Sequence, residues 1–350
     1  MRSRVKAETS APSSGPKPPR RKRAAIVAGG AGFLGSHLCD RLIADGYRVY
    51  CIDNLYTGRL ENLDGLAAEP RFTFIEQDVR APLETLPEAQ EVYNLACPAS
   101  PPHYQRDPLD TVTTNVIGTL ALLKLSGARQ ARLLQASTSE VYGDPAEHPQ
   151  RGSYNGNVNP IGPRACYDEG KRVAETLCYD FRRQLQADVR VARIFNTYGP
   201  RMRTDDGRII STFINQALCG EAMTIHGTGC QSRSFCYVSD LIEGLIRLMR
   251  LEDAPATPVN LGNPEEFTVL ELTEEIQRQI GGCAGVRHLP PVEDDPQRRC
   301  PNIELAFDLL GWRPGIALRS GLRQTIDWFA SPPGAVADAP SIAATAVGPA

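Results

Sequence analysis

The feature that most constrains this chain is a glycine-rich turn that directly follows a short apolar run near its start. The run is Ala24–Ala28, and Gly29, Gly32 and Gly35 follow it before an amphipathic stretch begins. A short, continuous apolar run is typical of a buried parallel strand. The glycines allow a tight turn and let backbone N–H groups approach a pyrophosphate at the N-terminus of the next helix.

An acid at the end of the next apolar run completes this pattern. Tyr47 to Ile52 predicts a second strand, and Asp53 follows it, 18 residues after Gly35. A carboxylate there accepts hydrogen bonds from an adenosine ribose and repels a 2′-phosphate, which favours NAD over NADP. Glycines alone would indicate only a turn. Strand, glycines, helix, strand and acid in this order predict a dinucleotide site.

The alternation of strands and helices continues along the chain. Further apolar runs predict strands at Phe72–Ile75, Glu91–Leu95, Arg132–Ala136 and Val189–Ile194, and a long helix is predicted over Leu109–Leu125. Regular alternation of this kind indicates an α/β protein with a Rossmann-type, doubly wound parallel sheet.

Changes in composition divide the chain into four parts. We predict an NAD-binding domain over residues 24–195 and a smaller, mixed domain, mainly for substrate binding, over residues 196–330. The segment 238–262 is expected to pack back on the sheet. The ends, residues 1–23 and 331–350, are rich in Ser, Pro, Ala and Gly, the first also in basic side chains, and both are predicted to be disordered tails.

Composition excludes several classes of protein. The formal charge of −3 over 350 residues gives no reason to expect nucleic acid or an anionic membrane as a partner. No apolar run approaches the roughly 20 residues that a membrane helix needs. The 10 cysteines occur singly, without zinc-type spacing, so we expect reduced thiols, no metal site and a cytoplasmic protein.

Tyr167 and Lys171 are the strongest candidates for acid–base chemistry. They lie four residues apart, so a helix would place the phenol and the ammonium on one face. A nearby cation favours the phenolate, which predicts a Tyr167 pKa lowered toward neutrality and a base for a sugar or alcohol hydroxyl. A surface helix with this pair would be the alternative. Upstream, Thr138, Ser139 and Glu140 end an apolar run.

The cofactor contacts expected from these patterns lie at the carboxyl ends of the predicted strands. They are Gly29, Gly32, Phe33, Leu34, Gly35, Asp53, Asn54, Tyr56, Thr57, Gly58, Asp78, Val79, Leu95, Ala96, Thr114, Tyr167 and Lys171. Asp78 is expected either to contact the adenine amino group or to be an acid of a surface loop.

With these residues in register, the chain resembles the extended short-chain dehydrogenase/reductases that modify nucleotide sugars. Within them it is similar to the UDP-glucuronate decarboxylases (UDP-xylose synthases) over roughly residues 24–329. The runs that carry this resemblance are Pro98–Tyr104, Ser137–Gly143, Asn159–Lys171, Arg193–Met202 and Val259–Glu266.

The resemblance implies a reaction in which NAD is recycled. Tyr167 would take the proton of the sugar C4 hydroxyl while hydride leaves C4, Lys171 would hold the phenolate charge, and Thr138 would hydrogen-bond the C4 oxygen. The resulting ketone lies beta to the C6 carboxylate, so CO₂ departs. Protonation at C5 and return of the hydride would give UDP-xylose.

The resemblance also implies roles for substrate contacts. Glu140 would lie near C5 and C6, and Arg299 would either bind the carboxylate or deliver a proton. Ser139 stands where the sugar 4,6-dehydratases have an aspartate, which argues against loss of water. The expected UDP-glucuronate contacts are Glu84, Thr138, Asn196, Thr224, His226, Gln231, Arg233 and Arg299.

Several alternatives remain open at the level of sequence. Thr113 and Ala121 depart from the family pattern, which leaves release of a UDP-4-keto-pentose as an alternative product. Other candidates are a UDP-sugar 4-epimerase, a 4,6-dehydratase and a non-catalytic NAD or nucleotide-sugar sensor. The resemblance further implies a homodimer formed through Leu109–Leu125 and Tyr167–Gln186.

Overall fold

The computed structural model describes residues 23–282, 284–291 and 298–331. Most of each tail predicted from composition, residues 1–22 and 332–350, lies outside the described residues. The strands are β1 (Ala24–Ala28), β2 (Arg48–Asp53), β3 (Phe72–Glu76), β4 (Glu91–Asn94), β5 (Arg132–Thr138), β6 (Val189–Ile194), β7 (Thr197–Tyr198), β8 (Met223–His226), β9 (Ser232–Ser234), β10 (Cys236–Tyr237), β11 (Val259–Leu261), β12 (Glu266–Thr268), β13 (Val286–Leu289) and β14 (Arg298–Arg299).

The helices follow the alternation expected from the sequence. They are α1 (Phe33–Ala44), α2 (Pro101–Tyr104), α3 (Pro108–Thr113), α4 (Thr119–Arg129), α5 (Ala165–Leu185), α6 (Ile209–Leu218), α7 (Val238–Arg250), α8 (Val269–Ile280), α9 (Glu304–Leu310) and α10 (Leu318–Ala330). Short 3₁₀ helices occupy Leu60–Leu66 and Ser139–Tyr142, and a π-helical turn occupies Thr114–Gly118. Among the described helices, none combines the length and the apolarity that crossing a bilayer requires.

Seven parallel strands form the central sheet in the order β11-β6-β5-β4-β1-β2-β3. Side chains of β1 alternate between two apolar clusters, with Ala25 and Val27 in one and Ile26 in the other. The first cluster contains side chains of α1 and α7, and the second contains side chains of α4 and α5. Helices therefore cover both faces of the sheet, and the predicted doubly wound fold is confirmed.

The chain reverses its direction of growth across the sheet between β1 and β4. From β1 it proceeds outward through β2 and β3, and it then returns to β4 on the other side of β1. The carboxyl ends of these two neighbouring strands form the crevice in which open α/β sheets bind ligands.

The later part of the chain both extends this sheet and builds a separate layer. Strand β11 pairs with β6 at the edge of the sheet, and α7 packs against α1. The remaining strands form small sheets in the orders β12-β9-β14, β13-β8 and β10-β7, and α6, α8 and α10 contact one another beside them.

The helix predicted over Leu109–Leu125 is interrupted in the structure. Asp107 caps α3 by accepting a hydrogen bond from the Asp110 N–H, and the π turn then separates α3 from α4. At Gly118 a Cβ would lie 2.5 Å from Val79 Cγ2. The close approach of the π turn to the segment after β3 therefore needs glycine there, and apolar periodicity carries no signal of the extra residue in a π turn.

Candidate active site

A cavity of about 600 Å³ opens at the carboxyl ends of the parallel strands. Its wall on the sheet side contains the glycine turn and the ends of β2, β4 and β5. Its opposite wall contains residues of α6, β8 and β9 and Arg299 of β14. The site therefore lies between the sheet and the layer built by the later part of the chain.

The glycine turn is packed too tightly for a side chain at Gly29 or Gly35. Gly29 has φ +77°, and a Cβ there would lie 2.7 Å from the Leu95 carbonyl carbon. A Cβ on Gly35 would lie 2.1 Å from the Gly29 carbonyl oxygen. These contacts bring the start of α1 directly against the turn, which leaves the helix N-terminus facing the cavity.

Asp53 is held by backbone N–H groups at the edge of this turn. Its Oδ2 accepts from the Ala31 N–H at 3.0 Å and its Oδ1 accepts from the Leu55 N–H at 2.9 Å. Burial raises the pKa of Asp53, although these N–H donors favour its charged form. A Cβ on Gly58 would lie 2.6 Å from the same carboxylate, so Gly58 supports Asp53 without being among the described residues that line the cavity.

Most of the predicted cofactor contacts do line this cavity. They are Gly29, Gly32, Phe33, Leu34, Gly35, Asp53, Asn54, Tyr56, Thr57, Val79, Leu95, Ala96, Thr114, Tyr167 and Lys171. These residues fit NAD. The glycine turn can hold a pyrophosphate, Asp53 lies beside it, and the cavity extends from there to Tyr167.

Asp78 is a predicted cofactor contact that lies outside this lining and pairs with a neighbouring arginine. Its carboxylate forms an ion pair with Arg80, 2.6 Å between Oδ2 and Nη2, and it also accepts from Asn54 Nδ2 at 3.1 Å. The Arg80 charge and these hydrogen bonds lower the pKa of Asp78 to about 2. Asp78 is not among the described cavity-lining residues, although its neighbours Gln77 and Val79 and its partner Asn54 are, so the adenine contact and the surface-acid alternative both stay predictions.

Tyr167 and Lys171 lie in the first two turns of α5, and both are buried. The Tyr167 ring stacks on Tyr104 with 4.9 Å between centroids. Lys171 Nζ donates to the Ala136 carbonyl at 3.0 Å and lies 5.8 Å from the centroid of the Tyr167 ring. The Thr138 hydroxyl, at the end of β5, accepts from the Glu140 N–H at 3.2 Å and lies near enough to Tyr167 to favour its charged form.

The predicted fall in the Tyr167 pKa is wrong for the protein alone. Burial, reinforced by the nearby Cys97, raises the pKa of Tyr167, although the hydrogen bond from Thr138 acts in the opposite direction. Burial also lowers the pKa of Lys171. Desolvation disfavours both the Tyr167 phenolate and the Lys171 ammonium, and the ammonium donates to the Ala136 carbonyl. The prediction from a shared helix face is wrong because it did not include burial.

Glu140 lies between two arginines at the other end of the 138–140 cluster. Arg299 Nη1 is 2.6 Å from Glu140 Oε1 and Nη2 donates to Oε2 at 2.9 Å, while Arg164 forms an ion pair with the same Oε2. Burial opposes ionisation of Glu140, but the charges of Arg299 and Arg164 outweigh it and hold its pKa below the usual range. The cavity thus contains an ionised acid and two cations beside Thr138 and Ser139.

Arg164 is the main residue that sequence reasoning missed. It lines the cavity and lies three residues before Tyr167, so a helix-face argument extended by one turn could have found it. Its Nε also lies 4.0 Å from Asp168 Oδ2. Burial first, and then the charge of Glu140, raise the pKa of Asp168 to about 7. Arg208 and Tyr104 also line the cavity and were not predicted.

Seven of the eight predicted substrate contacts line the cavity, namely Thr138, Asn196, Thr224, His226, Gln231, Arg233 and Arg299. Glu84 does not: it is exposed, and its backbone carbonyl accepts from Arg129 Nη2 at 3.1 Å at the end of α4. The flanking Leu83 and Leu86 enter the core beneath that end of the sheet and keep Glu84 outside the site. Glu84 is therefore the one predicted substrate contact that the described structure does not bring to the cavity.

Comparison with protein-family models matches residues 25–262 to the NAD dependent epimerase/dehydratase family. The chain belongs to this family. The match includes the glycine turn, Asp53, Tyr167 and Lys171, and it ends just after β11, the edge strand of the sheet. Use of NAD is a property of the family, as the turn and acid predicted.

Within the family, the chain is similar to curated decarboxylases. It is 53% identical over 304 residues to UDP-glucuronic acid decarboxylase 1 of Danio rerio, covering 87% of this chain and 72% of the relative. It is 51% identical over 324 residues to UDP-glucuronic acid decarboxylase 3 of Arabidopsis thaliana, covering 91% of this chain and 94% of the relative. The predicted resemblance is confirmed.

Solved structures of the same fold include enzymes of other activities. UDP-glucose 4-epimerase of Thermotoga maritima matches with a TM-score of 0.79 at 29% identity, covering 87% of this chain and 98% of that chain. UDP-glucuronic acid 4-epimerase of Bacillus cereus, solved with UDP-glucuronic acid and NAD, matches with a TM-score of 0.77 at 28% identity over the same shares.

Proposed function

We propose that this protein is an NAD-dependent UDP-glucuronate decarboxylase that converts UDP-glucuronate to UDP-xylose and CO₂. The observation that carries the proposal is the Glu140 carboxylate held between Arg299 and Arg164 beside the Thr138 and Tyr167 hydroxyls. The relatives that are more than half identical to the chain carry the same activity in their names. Tyr167 and Lys171 by themselves would not distinguish a decarboxylase from an epimerase.

The first step is oxidation at C4 of the sugar. Bound NAD⁺ supplies the hydride acceptor and, at the end of the cycle, the same hydride is returned to C4. Tyr167 accepts the C4 hydroxyl proton as general base. Because burial raises the pKa of Tyr167 in the protein alone, its phenolate would need the positive charge of Lys171 and of the oxidised nicotinamide ring. Thr138 donates a hydrogen bond to the C4 oxygen.

The second step is loss of CO₂ from the 4-keto sugar. The bond between C5 and the carboxylate breaks, its electron pair forms an enolate, and Tyr167 and Thr138 donate hydrogen bonds to the oxyanion at C4. Arg299 and Arg164, which pair with Glu140, would attract the substrate carboxylate by their positive charge before it leaves. C5 then takes a proton, and the net reaction consumes one proton for each CO₂ released. Arg299 is the residue that we assign to carboxylate binding.

The principal alternatives are a 4-epimerase, a 4,6-dehydratase and a non-catalytic sensor, and different observations oppose them. A 4,6-dehydratase needs an acid to protonate a leaving hydroxyl, and the corresponding position here is the buried Ser139. A 4-epimerase of neutral hexoses needs no cations for a C6 carboxylate, and the chain is 28% identical to the 4-epimerase of UDP-glucuronic acid but 53% identical to a UDP-glucuronic acid decarboxylase. A sensor needs neither Tyr167 nor Lys171, and both lie in this cavity.

The positions of Thr113 and Ala121, the two residues that depart from the family pattern, support complete reduction to UDP-xylose. Thr113 ends α3 and accepts from Arg80 Nη1 at 3.1 Å, and Ala121, in α4, packs against the second apolar cluster. Neither belongs to the described lining of the cavity. The departures therefore leave the C4 site unchanged, and we expect the cycle to close.

Incubation with NAD⁺ and UDP-glucuronate, followed by mass spectrometry of the nucleotide products, tests the proposal. We expect CO₂ and UDP-xylose. A UDP-pentose two hydrogens lighter would show release of the 4-keto sugar, and absence of any pentose product would refute decarboxylation. Turnover of UDP-galactose would instead favour the epimerase. Tyr167→Phe is expected to abolish turnover while NAD still binds, and an active Tyr167→Phe variant would exclude Tyr167 as the base.

We further propose that the chain forms a homodimer through the helices around α3, the π turn and α5. Three large apolar side chains are exposed there, Leu109 (76%), Ile117 (46%) and Val173 (40%). Burial of such side chains is the usual driving force for a stable interface. Light scattering coupled to size exclusion measures the mass directly, and a monomer at micromolar concentration would contradict the proposal.

A further inference from the structure

Three metal-ligating side chains from distant parts of the sequence meet beside a groove that adjoins the cavity at Gln231. His148 lies in the loop before α5, Glu266 begins β12, and Cys300 follows β14. An imidazole nitrogen, a carboxylate oxygen and the Cys300 Sγ all lie within 4.8 Å of one another. None of the three is among the described residues that line the NAD and substrate cavity.

We propose that His148, Glu266 and Cys300 form a Zn²⁺-binding site. Imidazole, carboxylate and thiolate are the three ligand types that zinc takes in proteins. A neutral imidazole, one carboxylate and one thiolate also balance the charge of a divalent cation. Around a tetrahedral zinc, ligand atoms lie about 3.5 Å apart, so side-chain rotations suffice to bring this cluster onto a single ion.

The surroundings of the three residues already orient two of them. Ser232 Oγ donates to Glu266 Oε1 at 2.5 Å, which leaves Oε2 facing His148 Nε2 at 3.0 Å. The Cys300 N–H donates to Gln150 Oε1 at 2.9 Å, and the Cys300 carbonyl accepts from the Gln150 N–H at 2.9 Å. Such second-shell hydrogen bonds hold ligands in position for a metal.

The site is accessible from one side and closed on the other. His148 and Glu266 keep 29% and 30% of their side-chain surface exposed, whereas Cys300 is buried. A cation can therefore reach the site from solvent, and water would complete a four-coordinate zinc. Binding breaks the contact between the Cys300 thiol and the Pro264 carbonyl, now 3.3 Å, and the thiol proton passes to solvent. Arg298, exposed on the same groove, remains free to turn outward.

An ion at this site would add a further link between three segments that the His148–Glu266 contact and the Gln150–Cys300 hydrogen bonds already join. Cys300 directly follows Arg299, the partner of Glu140 in the active site. Zinc would therefore fix β14, and with it Arg299, to the 148–150 loop and to β12. We expect bound zinc to raise the melting temperature and to restrict the movement of Arg299.

The full chain, first treated with a chelator, is titrated with Zn²⁺ by calorimetry and with Co²⁺ by absorption spectroscopy. We expect a single Zn²⁺ bound, a rise in melting temperature, no comparable effect of Mg²⁺, and a thiolate-to-cobalt charge-transfer band. Cys300→Ser should abolish the band and lower the Zn²⁺ affinity at least about 100-fold, because even an outer-shell partner is worth about 10–100-fold.

Cys230→Ser is the matched control, since Cys230 is an exposed cysteine on the same groove. It should leave the affinity and the band unchanged. Circular dichroism and NAD binding establish that each variant is folded. Failure of the wild type to bind stoichiometric zinc would overturn the proposal, as would an unchanged affinity in Cys300→Ser or a loss of binding in Cys230→Ser. None of these readouts depends on turnover of UDP-glucuronate.

Discussion

Substitution of Gly35 by alanine is the sharpest test of how the glycine turn binds NAD. A Cβ at this position would lie 2.1 Å from the Gly29 carbonyl oxygen, whereas ordinary contact begins at 3.4 Å. The turn and α1 must therefore separate by the difference, 3.4 − 2.1 = 1.3 Å. The turn has no room to yield, because Gly29 is pressed against Leu95 and a Cβ on Gly30 would lie 2.4 Å from Cys51 Sγ.

This displacement moves the backbone N–H groups of the helix N-terminus away from the pyrophosphate. A misplacement of about 1 Å costs roughly 100-fold where geometry decides the interaction, so we expect Gly35→Ala to weaken NAD binding by at least about that factor. Calorimetric titration measures this directly. Thermal unfolding gives a second reading, because NAD at 100 times its dissociation constant stabilises the wild type by about 2.7 kcal/mol and the variant should lose this stabilisation.

Gly127→Ala is the matched control for this experiment. Gly127 lies in α4, and a Cβ there meets nothing within 4 Å. Alanine in a helix is favoured over glycine by about 0.5–1 kcal/mol, so this variant should be slightly more stable and should bind NAD normally. A folded Gly35→Ala variant whose NAD affinity changes by less than about tenfold, or 1.4 kcal/mol, would refute the packing argument.

Two further predictions concern buried charges. Arg193 forms a buried ion pair with Glu175, 2.8 Å apart, so Arg193→Met should lower the free energy of unfolding in urea by about 3–5 kcal/mol. Arg183 forms an exposed pair, and Arg183→Met should lower it by less than about 1 kcal/mol. Similar losses in both variants would contradict the burial argument. Folding raises the pKa of Asp168 to about 7, above its value in the unfolded chain. At a pH between about 4 and 7 the native state therefore keeps a proton on Asp168 that the unfolded chain has lost. The stabilisation from this proton is lost as pH rises from about 4 to 7. The unfolding free energy of the wild type minus that of Asp168→Asn should therefore be larger at pH 5 than at pH 8, by about 1–3 kcal/mol, and a difference independent of pH would refute this assignment.

Local spacing was enough to predict the cofactor half of the site. The strand, the three glycines and Asp53 lie within 30 residues, and the chemistry of a turn at a helix N-terminus needs no knowledge of distant parts of the chain. The pairing of Tyr167 with Lys171 is likewise a property of one helix. In the same way, periodic apolar runs located every strand of the main sheet up to β6, and with them the fold class.

Burial and long-range pairing are what this reasoning could not reach. The Tyr167 pKa moves in the direction opposite to the prediction, because desolvation depends on every element packed around the ring. Asp78 forms an ion pair with Arg80, and Glu84 stays exposed while the nearby Leu83 and Leu86 enter the core. Each of these features depends on a partner or on a direction in space that spacing along the chain does not encode.

The sequence by itself determined the family, the dinucleotide turn and the catalytic tyrosine and lysine, because each depends on residues close together in the chain. Only the tertiary structure brought Arg299 to Glu140 across 159 residues, placed Arg164 on the same carboxylate, and set His148 beside Glu266 across 118 residues. The physical reason is that charges and ligand atoms act over a few ångströms in space, and the folding of the small sheets against the parallel sheet decides which of them come within that range.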